Sequence, residues 1–239
     1  LETSILDELS AGVCDSVTGR ADSAAVLKRL YRENLFLLPL DDELYWYRYH
    51  QLFAEMLRYL LRASMEDRWA ELHRRACSWY RREGHSAAAV EHALAAADYS
   101  TALELLEEHA TDLIMKGYVK TLDTWVQALP PEQEYRSPKI NLAFAWMHIL
   151  RGSVYRAEPY VKQLKEIFQG DAELPCGKVE ENSLKTEWIV MQALISYGRD
   201  NMEESRLLTE KALETLSEKN DRILSLACYA RACAHCALE

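Results

Sequence analysis

Hydrophobic residues recur at helical spacing along almost the whole chain, and the period breaks once, between Leu35 and Phe53. Before the break, Ile5, Leu6, Leu9, Val13 and Val17 fall on one helical face. They predict a helix over residues 2–17, stopped by Thr18-Gly19. A second helix from about Ser23 to Asn34 would bury Val26, Leu27, Leu30 and Tyr31. The break holds two short apolar runs, Phe36–Leu40 and Tyr45–Tyr49, separated by Asp41-Asp42-Glu43. The second run is rich in aromatics, so the pair reads as a hairpin with an acidic turn. Pro39 cannot donate to a ladder and belongs at an edge or a strand end. A lone hairpin is marginal in water and must lie on helices. Two helices before it and one from His50 to Arg62 after it describe a winged helix over residues 1–63.

The helical period then resumes. Ser64-Met65-Glu66-Asp67 has the spacing of a capping box and marks the expected start of a new regime. Gly84 is followed by Ala89 at +5 and Ala96 at +12. Gly117 leads Leu122 and Leu129, Gly152 leads Ala157 and Leu164, and Asp200 leads Ser205 and Ala212 at the same offsets. The turn residues are 33, 35 and 48 positions apart. The first two intervals match a helix-turn-helix repeat of about 34 residues. The loop-like segment 170–183 reads as an insertion that explains the third. The Gly or Asp permits the tight turn, and a small residue one and a half turns later lets the second helix approach the first closely. Pairs that cannot bury their faces alone then stack. Pro130-Pro131 and Pro138 fall between pairs. Pro159 lies six residues beyond Ser153, so that helix either starts late, near Ala157, or kinks. The expected fold is mainly α: a winged-helix module over 1–63, then a superhelix of tetratricopeptide-like repeats over 64–239.

Composition agrees with an ordered chain: 239 residues, 49% hydrophobic and 28% charged. The net charge of −10 argues against nonspecific attraction to nucleic acid or to a membrane surface. Residues 1–63 hold seven Lys/Arg and ten Asp/Glu. Lys28, Arg29 and Arg32 therefore read as a solvated face, and direct DNA binding by this module is not expected. Six cysteines without framework spacing suit a reducing cytosol, and no apolar run reaches the ~18–20 residues of a membrane span. The chain starts at Leu1 inside an amphipathic pattern and reads as a piece of a longer protein.

Catalytic motifs are missing. There is no G-x-x-x-x-G-K-[ST] loop to cradle a phosphate and no H-E-x-x-H, so the chain reads as non-enzymatic. Cys228, Cys233, His235 and Cys236 cluster, but they alternate with alanines as small core residues do. One helix rarely presents four tetrahedral ligands, so no metal is expected. Trp79, Trp125, Trp146 and Trp188 read as repeat core. The sharper alternative is that Trp125, Trp146 or Trp188 lines a groove and stacks on a ligand. His73, His92, His109 and His148 read as core-edge residues.

His50 stands apart because it ends the hairpin and opens the next helix. Tyr47-Arg48-Tyr49-His50-Gln51-Leu52-Phe53 resembles the winged-helix segment of signal-transduction NTPases, where a histidine holds this junction. Only the His matches the Met-His-Asp triplet of the plant-resistance and apoptotic branch. Thr3-Ser4-Ile5-Leu6-Asp7, Cys14-Asp15-Ser16-Val17-Thr18-Gly19, Asn34-Leu35-Phe36-Leu37 and Tyr47-Arg48-Tyr49-His50 resemble the MalT-like, large ATP-binding regulators of the LuxR type. That resemblance implies an ATP-binding domain before this segment and a helix-turn-helix after it. It implies ATP or ADP on the upstream domain and a small-molecule or protein inducer on the repeats. His50 would contact the ADP phosphate, and the full protein would self-associate when activated. The alternative is a tetratricopeptide-like scaffold whose groove binds a partner protein, and His50 could equally cap its helix or bond the hairpin.

Overall fold

The hairpin at the break in the helical period forms with Leu37–Pro39 (β1) paired antiparallel to Tyr47–Tyr49 (β2), Leu37 opposite Tyr49 and Pro39 opposite Tyr47. The computed structural model describes residues 1–130, 137–170, 177–215, 224, 225, 227 and 228. Around the hairpin lie a 3₁₀ turn at Glu2–Ile5, then α1 (Ala11–Thr18), α2 (Ser23–Arg32) and α3 (Gln51–Ser64). Pro39 sits at the end of its strand, where its missing N–H costs no ladder bond.

The single helix expected over residues 2–17 is instead interrupted. Ile5, Leu6, Leu9, Val13 and Val17 are all buried, as the spacing required. Yet Leu6 is extended, and Leu9 exchanges backbone hydrogen bonds with Tyr47 at 2.7 and 2.9 Å. Strand β2 thereby gains a second neighbour, and Ser10 caps the shortened α1 by accepting from the Val13 amide. The edge strand's demand for a partner outweighs continuation of the helix, a preference that the apolar spacing does not encode.

Downstream come α4 (Glu66–Arg82), α5 (Ser86–Ala95), α6 (Tyr99–Met115), α7 (Val119–Gln127), α8 (Pro138–Leu150), α9 (Val154–Gln169), α10 (Lys178–Gly198) and α11 (Met202–Thr215). The fold is mainly α, a winged helix followed by helical repeats. Gly84, Gly117, Gly152 and Asp200 all adopt positive φ, between 59° and 85°, at the turns joining α4–α5, α6–α7, α8–α9 and α10–α11. At each, the following residue's N–H bonds the carbonyl five positions back, as His85 does to Tyr80 and Asn201 to Ser196. Ala89, Leu122, Ala157 and Ser205 have no exposed surface. The offsets read from the sequence thus mark fully buried positions.

Three local expectations change. Ser64 is the last residue of α3 and its hydroxyl donates to the Leu60 carbonyl; α4 starts from Met65 without a side-chain cap, so no capping box forms at Ser64. Lys178–Ser183, expected in a loop, is the first part of α10. Pro159 lies inside α9, which starts at Val154 and not near Ala157.

The chain divides into two compact units, Leu1–Leu106 and Glu107–Glu239. The expected boundary at 63/64 falls at the α3–α4 break, inside the first unit, because α4 packs against α1, α3 and the 3₁₀ turn. In the second unit α10 packs on α8, α9 and α11 around Trp146, Val161, Leu164, Met191 and Ile195. No helix among the described residues is long and apolar enough to cross a membrane.

Candidate functional site

The junction of β2 and α3 fixes the position of His50 through its backbone. The His50 N–H donates to the Phe36 carbonyl at 2.8 Å, and its own carbonyl accepts from Ala54 at 2.9 Å, the first bond of α3. The imidazole caps nothing and is exposed, so the backbone is held by the hairpin while the side chain stays available. Beneath it, Phe36 stacks on Phe53 with ring centroids 5.0 Å apart, and Tyr49 meets Phe53 edge-on at 5.8 Å. The Tyr49 hydroxyl lies 2.8 Å from Thr3 Oγ1, and burial raises its pKa.

His50 opens onto a cleft of about 410 Å³ with Arg48, Gln51, Asp7 and Arg58 on its walls. Arg58 is fixed in place: Nε donates to the Ser4 carbonyl at 2.7 Å and Nη2 to Asp7 at 2.5 Å. Arg48 is exposed on β2. The first turn of α3 carries no acidic residue and no side-chain cap. Its leading N–H groups therefore point out of a positive helix end. An exposed imidazole, an exposed guanidinium and an uncapped helix start suit an anionic oxygen. An apolar stripe continues from this cleft along α3, where Leu52, Met56, Tyr59 and Leu60 are exposed.

The tryptophans proposed for a ligand groove lie elsewhere. Trp125 and Trp146 are core side chains, 6% and 5% exposed, and the Trp146 indole N–H donates to Glu187. They fill the space between helices, so neither offers a ring face to a ligand. Trp188 is half-buried; its N–H bonds the Val161 carbonyl and its ring packs on Phe168. Cys233, His235 and Cys236 lie outside the described residues, and Cys228 is an exposed free thiol. Among the described residues no cluster could hold a metal ion.

His109 and His148 are half-buried as expected, but His73 and His92 are fully internal. Their Nδ1 atoms lie 2.8 Å apart, one donating to the other. Burial pushes His73 down to about 3, helped by His92 and by Arg62 and Arg58; burial likewise pushes His92 down to about 4. Both rings are therefore neutral at pH 7. The pair joins α4 to α5, and only the repeat geometry brings those positions together, so the local sequence offers no signal for it.

Comparison with known proteins bears on the winged helix that carries this junction. Residues 1–69 match the MalT winged helix domain. Those residues are similar to the winged helix of MalT-like regulators. The chain is 28% identical over 226 residues to the HTH-type transcriptional regulator MalT of Vibrio cholerae, covering 93% of this chain and 24% of that protein. It is also 33% identical over 215 residues to the serine/threonine-protein kinase PknK of Mycobacterium tuberculosis, and equally to that of Mycobacterium bovis. Those alignments cover 89% of this chain and 19% of each kinase, so the chain spans only about a fifth of the relatives' length.

Proposed function

We propose that this chain is the regulatory, inducer-sensing segment of an ATP-dependent LuxR-type transcription regulator of the cytoplasm. It would couple a small-molecule or protein inducer on its helical repeats to the opening of a neighbouring nucleotide-binding domain. The observation that carries the reading is His50, held by its backbone at an uncapped helix start beside Arg48 in a MalT-type winged helix. In the closed state the His50 imidazole donates to an ADP phosphate bound on that upstream domain, and the apolar stripe of α3 is covered by the same domain. An inducer that prefers the open arrangement releases both contacts; one that bound both arrangements equally would shift nothing. The opened, ATP-bound protein then self-associates.

The occurrence of the same region in a relative named a kinase and in one named a transcription regulator supports a coupling role distinct from the output. A net charge of −10 supports leaving DNA contact to another domain. The test is His50→Ala in the longer protein. Loss of a charge-assisted bond costs ~1.5–3 kcal/mol, a shift of about ten- to a hundredfold toward the open state. ADP retention should fall and transcription should become inducer-independent, while the chain's own folding stays intact. If the substitution instead unfolds the 239-residue chain on its own while the longer protein retains ADP normally, His50 is a structural residue.

A further inference from the structure

In the second unit, α7, α8 and α9 enclose a cleft of about 560 Å³, within the range of small-molecule sites. One wall is aromatic. Phe144 and His148, one turn apart on α8, both stack on Tyr160 of α9, with centroid distances of 5.3 and 5.8 Å. Tyr160 remains half-buried, and the ring lines the cleft. The two charged residues on the lining already have partners. Asp123 accepts from Gln127 Nε2 at 3.0 Å, and Arg156 Nε donates to the Tyr155 hydroxyl at 3.2 Å. Burial, with Arg156 and Arg151 nearby, lowers the pKa of His148, so that ring is uncharged at pH 7. One polar atom stands out. Gln163 Oε1, on the lining from α9, is buried and has no hydrogen-bond donor among the described residues. A buried acceptor without a donor is costly, and native proteins rarely leave one unless a water or ligand completes it.

We propose that this cleft binds a small neutral molecule that lays a flat ring against the Tyr160 wall and donates one hydrogen bond to Gln163 Oε1. The proposal rests on reading the repeats as the sensor, and it names the chemical class of the inducer. The aromatic wall selects the ring, the opposite and already bonded charges of Asp123 and Arg156 disfavour an ion, and the buried acceptor without a donor selects a donor-bearing ligand.

Benzamide is a suitable probe, since it has a flat neutral ring and an amide N–H; N,N-dimethylbenzamide keeps the ring and lacks the donor. Binding of each to the 239-residue chain is measured by calorimetry and by amide-resonance shifts. Benzamide should bind about tenfold more tightly than its dimethyl analogue, the ratio one neutral hydrogen bond supplies. Gln163→Leu, which keeps the side chain's bulk, should erase that ratio without loss of folding, and Tyr160→Ala should weaken both probes. Equal binding of the two probes, binding of neither, or a ratio that survives Gln163→Leu overturns the site. A longer protein carrying Gln163→Leu that still responds to its inducer at wild-type sensitivity removes the cleft and leaves the sensor reading standing. Probe selectivity as described, in a protein whose output answers to no ligand, keeps the cleft and removes the sensor reading.

Discussion

The first helical repeat and the later ones share one backbone plan but not one core. In both units a positive-φ turn is followed at +5 by a fully buried residue, Ala89 in the first unit and Ala157 in the second. Around Ala157 the core is mostly aliphatic, with Val161, Leu164, Met191 and Ile195 beside Trp146. The first unit instead buries a directly bonded pair of histidines within a column of rings, whereas the ring stack of the second unit, Phe144, His148 and Tyr160, lines a cleft. Arg62 sits 4.3 Å over Trp69, Trp69 lies 4.5 Å from His73, His73 bonds His92, and His92 stacks on Tyr80 at 5.3 Å. That column runs from α3 through α4 to α5, so it ties the winged helix to the first repeat. The difference teaches that repeat spacing fixes where helices meet, while the side chains at the contact decide what the contact responds to.

The largest consequence is sensitivity to acid. Folded His73 and His92 have pKa values of about 3 and about 4, against 6.5 for a free imidazole. Below pH 6.5 the unfolded chain takes up protons that the folded pair refuses. Stability is therefore complete above pH 6.5 and is lost as the pH falls toward 4 and then 3. By pH 4 the loss should be on the order of 5 kcal/mol, concentrated in residues 1–106. Hydrogen exchange at pH 7 and pH 4.5 reads it: amides of α4 and α5 should lose protection while those of α8 to α10 keep theirs. Equal loss in both units would erase the contrast.

What the sequence reveals follows the same division. The repeats were legible because a turn with positive φ and a fully buried residue at +5 are local demands, met wherever the plan recurs. The winged helix was legible through its break in period and through His50. The interruption at Leu6–Ser10 was not, because Leu9 leaves the helix to pair with Tyr47, a partner distant in sequence. The His73–His92 pair and the unpartnered Gln163 were hidden for the same reason: each is defined by groups brought together from different helices. Trp125 and Trp146 are buried, in keeping with the repeat-core reading, because large aromatics at helical spacing dominate helix–helix burial.

A second comparison uses volume. Ala89→Phe and Ala157→Phe place a ring where no surface is exposed, and each should destabilise by ~1–3 kcal/mol through overpacking. The two should differ in reach: Ala89→Phe should lower protection in the first unit alone, and Ala157→Phe in the second alone. Thermal unfolding unchanged by both would mean that these alanines do not mark close helix crossings.

The smallest effects test the turns themselves. Ala97, between α5 and α6, adopts φ 52° and makes the same pair of bonds as the glycine turns: its N–H bonds Leu94, and the Asp98 N–H bonds Ala93. A Cβ in this left-handed region costs ~1–2 kcal/mol, and glycine gives back ~0.5–1 kcal/mol of that relief in lost chain entropy. Ala97→Gly should therefore stabilise the first unit by about 0.5–1 kcal/mol. Asp200→Gly, at φ 59°, should gain less in the second, because a short polar side chain tolerates this conformation better. Gly152→Ala runs the other way. Nothing lies within 4 Å of the added Cβ, so its cost, again under about 1 kcal/mol, would be conformational and not steric. Chemical denaturation midpoints at constant slope measure all three. If Ala97→Gly destabilises while Gly152→Ala does not, backbone strain is not what sets the residue at these turns, and the shared plan of the two units rests on helix contacts alone.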